Sequence, residues 1–267
     1  MLAFDPMHLD AELPAVDKSL LAEGVPYELY DGVLVRVPPA DETHATRHSK
    51  IAALLEAHVG AAFRVACDML TRTAEKTNVA PDVSVYPRAR DPETGGRQLE
   101  HLAFEVVVTE SLSHAARKAG KLTARGVRRV FAIDVEQTRA LEWSTELDDW
   151  TTLDPQALIE DPALAAPLPT SALLDEAKAD DVVAQALLTK RNAVIEAALA
   201  HDRAEGEAKG RAEGKAEALV ALLHARGVFL DSSQRIRLLA ERNLERLDDW
   251  IARATTCTSL DELLAEP

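Results

Sequence analysis

Leu102-Ala103-Phe104-Glu105-Val106-Val107-Val108 is an apolar run with a single acid at its centre. Such a run reads as a strand covered on both faces, the situation of a central strand in an α/β sheet. An ionised carboxylate inside it is costly unless a cation faces it. The run therefore demands layers on both sides of a sheet, and for Glu105 a positive partner, either a side chain or a metal ion.

The surrounding chain supplies those layers. Asp31-Gly32 separates two strand-like runs within Tyr27–Val37, a hairpin signal, and Pro38-Pro39 stops the second run. From Thr43 to Ala62 the pattern is helical, with Ile51, Leu54, Leu55, His58 and Val59 on one face. Strands are predicted over 63–67, 70–73 and 79–86, and a loop rich in Arg, Asp, Pro and Gly over 87–98. Ser113–Arg125 reads as a helix ended by Gly126. Val130–Val135 follows as a second buried strand, and 140–143 with 150–153 as a last hairpin or edge strands. A short helix is expected around Asp17–Glu23, ended by Gly24. The order predicts a mixed α/β domain with a sheet at its centre.

Four prolines mark Pro155–Pro169 as a connector, so the expected domains are 1–155 and 156–267. From Leu173 the chain turns helical and Ala-rich. Gly206, Gly210 and Gly214 recur every fourth residue beside Ala204, Ala208, Ala212 and Ala216, with Glu205–Lys209 and Glu207–Arg211 in the favourable i, i+4 order. Each glycine costs a helix about 1 kcal/mol relative to alanine. The stretch is therefore either a weak helix or one packed along its small-residue ridge, within the chain or between two chains. Gly227 ends it, Asp231 or Ser232 caps the next helix, and Ser259-x-x-Glu262 has the spacing of a capping box.

The chain has 267 residues and a net charge of −15, which argues against coating nucleic acid through bulk electrostatics. The charge is uneven: Arg64–Arg129 holds twelve Lys/Arg against eight Asp/Glu, a basic island suited to one local phosphate-binding surface. No stretch approaches the roughly 20 apolar residues of a membrane span. Met1–Asp10 has no basic, then apolar, leader pattern. Cys67 and Cys257 are far apart and in no CxxC pair, so neither a disulfide framework nor a cysteine zinc site is expected, and the reading is cytoplasmic.

Pro81-Asp82 on a strand, Glu105 in the buried run and a lysine-bearing helix after it form the set that could carry chemistry. Two carboxylates on neighbouring strands suit a hard cation that keeps waters, and a lysine nearby could orient the attacking water. A purely structural role stays open: Glu105 in a buried ion pair with an arginine, Asp82 as a turn residue. His44 and His48 have zinc-like spacing without a third ligand, so His48 is expected at a helix start or lining the site. His114 opens the basic helix and reads as a surface histidine or a phosphate neighbour. No P-loop, dinucleotide fingerprint or Gly-x-Ser-x-Gly is present.

Tyr27-Glu28-Leu29-Tyr30-Asp31-Gly32, His48 opening a helix, Ala80-Pro81-Asp82-Val83-Ser84-Val85, Phe104-Glu105-Val106-Val107, Arg117-Lys118 and Gly126-Val127-Arg128-Arg129-Val130-Phe131-Ala132-Ile133-Asp134 occur in this order. The ordered set resembles the Uma-type restriction endonuclease family, a branch of the PD-(D/E)XK nuclease superfamily, over roughly residues 20–153. The resemblance implies a restriction-endonuclease-like core with a mixed central sheet, followed by a helical C-terminal region. It implies divalent-metal-dependent cleavage of DNA, with Mg2+ or Mn2+ held by Asp82 and Glu105 and with Glu28 as a helper carboxylate. Where the superfamily carries a strand lysine this chain has Val107. The resemblance moves the lysine to the following helix, at Lys118, with Lys121 one turn on as the reserve. In place of a Ser-Pro-Ser signature the chain has Thr109-Glu110-Ser111-Leu112-Ser113.

The basic residues Arg117, Arg125, Arg128 and Arg129 are expected either at DNA phosphates or on a solvated basic face. Because duplex strands are related by a dyad, a homodimer paired through the C-terminal helices is expected. A catalytically silent scaffold or interaction module on the same fold is the rival reading. A nuclease acting on RNA or free DNA ends is a third.

Overall fold

The apolar run is the strand β7 (Leu102–Val107), and all six of its residues are buried. In a computed structural model, which describes residues 15–21, 27–37, 39–108 and 112–264, it lies inside a six-stranded sheet. That sheet is built from β3 (Phe63–Cys67), β6 (Val83–Pro87), β7, β8 (Arg129–Asp134), β9 (Arg139–Ser144) and β10 (Asp149–Thr152), in the order β10-β9-β8-β7-β6-β3. β7 and β8 are parallel, joined by the crossover helix α2 (Leu112–Arg125), and every other pairing in the sheet is antiparallel. The sheet is mixed, as expected.

The helix α1 (Glu42–His58) covers one face. Its buried Ile51, Leu54 and Leu55 share a core with Phe104, Val106, Phe131 and Ile133. On the other face Ala119 and Leu122 of α2 pack with Ala103 and Val130. Alternate residues of β7 thus enter opposite layers, as the period of two requires.

A second sheet stands beside the first, made of β1 (Tyr27–Tyr30), β2 (Val33–Arg36), β4 (Thr71–Ala74) and β5 (Thr77–Val79), in the order β2-β1-β5-β4. The β1–β2 hairpin turns at Asp31 and Gly32, both with positive φ. The expected single strand over 79–86 is corrected here. It is two strands in different sheets, β5 and β6, because Ala80-Pro81-Asp82 interrupts it. Pro81 has no N–H to give a ladder and disfavours regular pairing at its position. The helix expected at Asp17–Glu23 is not formed over the described part: 15–21 contains only a turn and a bend, and 22–24 lie outside the described residues.

The connector is built into the core. β11 (Leu158–Ile159), β12 (Leu168–Pro169) and α3 (Thr170–Leu174) bring Ile159, Leu168 and Leu173 into the same cluster as β7. After them α4 (Glu176–Thr189) reaches Lys190, whose Nζ donates to the carbonyl of Glu56 at 3.1 Å. The chain accordingly divides into compact units at Asn192/Ala193 rather than at 155/156.

The second unit is helical: α5 (Ala193–Ala225), α6 (Ser232–Leu239), α7 (Leu244–Arg253) and α8 (Leu260–Leu264). Ala212, Ala216, Leu219 and Leu223 of α5 form its core with Leu238, Leu247 and Trp250. Asp231 makes a complete capping box with Gln234. The expected box at Ser259 is only half formed: Ser259 accepts from the Glu262 amide, but the Glu262 carboxylate turns to the amide of Thr258. No helix among the described residues is long and apolar enough to cross a membrane.

Candidate functional site

The break between β5 and β6 is where the candidate residues meet. β6 and β7 pair with Val83 opposite Phe104, so one further step of the register sets Asp82 opposite Glu105. Asp82 Oδ2 accepts from the Val106 amide at 2.6 Å, which fixes the carboxylate against β7. From the helix above, His44 Nε2 stands 3.5 Å from the same oxygen, and His48 Nε2 donates to the Asp82 carbonyl. His48 therefore lines the site, as expected of it.

Glu105 points away from the α1 layer toward α2, where Lys118 Nζ meets its Oε2 at 2.9 Å. The expected alternative partner, an arginine, is replaced by this lysine. Lys118 Nζ also donates to the Ala80 carbonyl at 2.8 Å and lies 3.3 Å from Glu28 Oε1. Glu28 in turn accepts from the Ala80 amide at 2.7 Å and from the Tyr30 hydroxyl at 2.7 Å. One peptide, Ala80, is thus gripped at its N–H by Glu28 and at its carbonyl by Lys118. The strand break preceding Asp82 is held from both sides.

The electrostatics follow from burial. Burial pushes the Glu105 carboxyl well above its usual range, and Lys118 only partly opposes it. Burial alone would lower Lys118, but Glu105, Glu28 and Asp82 outweigh it and hold the ammonium well above its ordinary pKa. Burial would raise Asp82, yet His44, Lys118 and the Val106 amide bring it below the usual value. The Tyr30 hydroxyl is pushed up by burial and by the Glu28 charge.

Glu28, His44, His48, Asp82, Glu105 and Lys118 border one open cleft of about 730 Å3. It is lined by Asp68, the recessed Asp82 and Glu105, Val35–Val37 with Pro39 and Ala40, and residues from the N-terminal parts of α1 and α2. Asp68 was not foreseen. It has no motif around it, and only the register reveals it: Cys67 pairs with Val83, and the Asp68 amide donates to the Asp82 carbonyl at 3.1 Å. Burial raises its carboxyl, and the Asp82 charge adds to that.

Among the described residues no three His, Cys, Asp or Glu side chains converge as a ready set of metal ligands. One atom nonetheless asks for a cation: Glu105 Oε1 is buried and has no hydrogen-bond partner. Two hard carboxylate oxygens, from Asp82 and Glu105, fit a Mg2+-like ion that keeps most of its waters.

The remaining expected residues are scattered. Lys121 is outside the cleft lining, its amine 2.8 Å from both Asp31 carboxylate oxygens. Arg117 meets His114 Nδ1 at 3.2 Å and lies over the Tyr30 ring at 5.3 Å. Arg125 is near Arg72, which lowers its pKa after burial has done so. Arg128 is paired with Asp161, and Arg129 is forked onto Glu142 at 2.6 and 3.0 Å. Arg129 pairs with Leu102 across the sheet, at the opposite end of β7 from the cleft.

A family model described as "Uma2: Putative restriction endonuclease" matches residues 12–172. A solved structure described as a "putative nuclease belonging to DUF820 from Anabaena variabilis ATCC 29413" is similar with a TM-score of 0.48 and 18% identity, over 58% of this chain and 93% of that one. No curated protein matches the chain.

Proposed function

The chain belongs to the Uma2 family, and on that premise we propose that the cleft hydrolyses DNA phosphodiester bonds with the help of Mg2+ or Mn2+. Asp82 and Glu105 would hold the ion. The observation that carries the reading is the buried, unpartnered Oε1 of Glu105 in the lining of an open cleft. When bound, the ion supplies a Lewis acid and makes a coordinated water a better nucleophile.

The chain's own residues do the rest. Lys118 stays cationic at neutral pH, so it places positive charge beside the phosphate and orients water rather than removing a proton. Glu28 is a positioning residue: it fixes Lys118 and the Ala80 peptide, and Tyr30 holds its second oxygen. Lys118 rather than Lys121 takes the lysine role, since Lys121 is engaged by Asp31. Arg117, beside the cleft residue His114, is the arginine of the expected set best placed for a phosphate.

The scaffold reading draws on the Lys118–Glu105 pair, which resembles a self-sufficient buried ion pair. It leaves Oε1 of Glu105 without a purpose. Nicking of supercoiled plasmid with Mg2+ or Mn2+ separates the two readings. The nuclease reading expects metal-dependent nicking by the wild type and none by Asp82→Ala. No cleavage with either metal would favour the scaffold.

A further inference from the structure

We infer that the cleft takes unpaired DNA, a single strand or a locally opened duplex, in preference to intact duplex. The inference rests on the hydrolytic reading above and adds the substrate class.

The first ground is charge. A protein that grips duplex DNA neutralises roughly 6–10 phosphates with Lys and Arg. The cleft is lined by two such residues, Arg36 and Lys118, against five carboxylates. Lys118 is already committed to Glu105 and Glu28. Of the basic island in the sequence, Arg117 stands beside the cleft residue His114, whereas Arg128 and Arg129 are held by Asp161 and Glu142 at the far end of β7. The residues outside the described set contain no lysine or arginine. Residues 193–267 carry ten Lys/Arg against fourteen Asp/Glu, so the helical unit brings no positive excess either.

The second ground is depth. The Asp82 and Glu105 side chains are 14% and 6% exposed, recessed in the lining of the cleft. Duplex DNA is stiff, with a persistence length of about 50 nm, and its phosphates stay on the outside of a rod. A single strand can fold one phosphodiester down to a recessed site.

The third ground is the apolar lining. Among the lining residues Val37, Pro39 and Ala40 are exposed and Val35 and Val108 are partly so, an apolar strip open to the cleft. These apolar surfaces suit bases that have left the stack, whereas paired bases would present only their edges. Each phosphate contact also carries less salt-dependent free energy on a single strand than on B-DNA, with a slope of about −0.7 against −0.9 per contact.

The test uses one labelled sequence in four forms: single-stranded DNA, duplex, duplex with a central unpaired stretch, and RNA. Binding is read by fluorescence anisotropy with Ca2+, and cleavage with Mn2+, both with the full-length protein. Single-stranded and opened DNA are expected to bind and to be cut at least about tenfold better than duplex, with a salt slope kept shallow by the few Lys/Arg that line the cleft. Duplex bound and cut as well as single strands, or RNA preferred to DNA, would overturn the inference. Cleavage of nothing, with the binding preference intact, would remove the hydrolytic reading and uphold the substrate class. Val37 is exposed, so Val37→Glu should fold. It is expected to weaken single-strand binding by roughly fivefold or more by setting a charge against the bases, and unchanged binding would count against the apolar strip.

Discussion

Tyr30 gives its hydroxyl proton to Glu28, the acid that steadies Lys118, and is itself absent from the residues that line the cleft. Its influence on the reaction would pass through Lys118 rather than through contact with DNA. Removing the hydroxyl leaves a buried carboxylate oxygen without its donor, a loss of about 1.5–3 kcal/mol when the acceptor is charged. Tyr30→Phe is therefore expected to lower kcat by roughly tenfold or more at nearly unchanged KM. Steady-state cleavage of single-stranded DNA measures this, and a rise in KM at constant kcat would make Tyr30 a substrate contact instead. At this scale the sequence exposes some residues and hides others. Glu105 is legible because an acid inside an apolar strand is conspicuous. Asp82 and Lys118 are legible through the ordered motifs around them. Asp68 is not, because an aspartate after Cys67 looks like any strand exit until β3 and β6 are set in register.

At the scale of elements, period and turn chemistry locate β7, α2 and β8 to within a residue, since each has a strongly patterned core face, and they find the start of α1, which ends at His58 rather than at Ala62. Where two sheets meet, this reasoning fails. Val79–Tyr86 looks continuous because both of its halves are apolar, and only pairing shows that Ala80-Pro81-Asp82 carries the chain from one sheet to the other. The packing of α1 against α4 has a consequence for pH. His58 is 1% exposed at the end of α1, its Nδ1 donating to the Leu54 carbonyl at 2.7 Å. Burial depresses its pKa below the ordinary value of 6.5, and Lys190 pushes the same way against the Leu54 hydrogen bond. In the unfolded chain the imidazole takes its proton near that ordinary value, before the folded chain does. The stability due to neutral His58 is thus fully present above it and is lost as pH falls below it. The slope cannot exceed about 1.4 kcal/mol per pH unit for one proton. Urea denaturation of wild type and His58→Gln between about pH 7 and 5 is expected to show the steeper acid loss in the wild type. Parallel curves would mean that His58 titrates alike in both states.

At the scale of the molecule, prolines mislead about the domain boundary. Pro155–Pro169 looks like a linker, yet proline only ends elements, and between these prolines Ile159 and Leu168 enter the main core. The division falls at Asn192/Ala193, where no proline marks it. The helical unit is legible in kind, and the use of its small-residue ridge is not. Ala212 and Ala216 are buried in the unit's own core, whereas a Cβ added at Gly206, Gly210 or Gly214 would meet nothing within 4 Å. The alanines of the ridge thus serve the unit's own core, and the glycines are left with one of two settings. If the glycines face solvent, replacing each with alanine removes only a helix penalty and stabilises α5 by about 1 kcal/mol per residue. If a second copy of the helix packs along them, the added methyl groups collide with it and the pair loosens. The open space at each glycine lies within a single chain and is compatible with both, so the variant's behaviour decides between them. The triple variant Gly206→Ala, Gly210→Ala, Gly214→Ala is expected to melt at a higher temperature with an unchanged mass in light scattering. A lower melting temperature together with a fall in mass would instead place a homodimer interface on this face, and would give the recurring glycines the role of admitting a second chain.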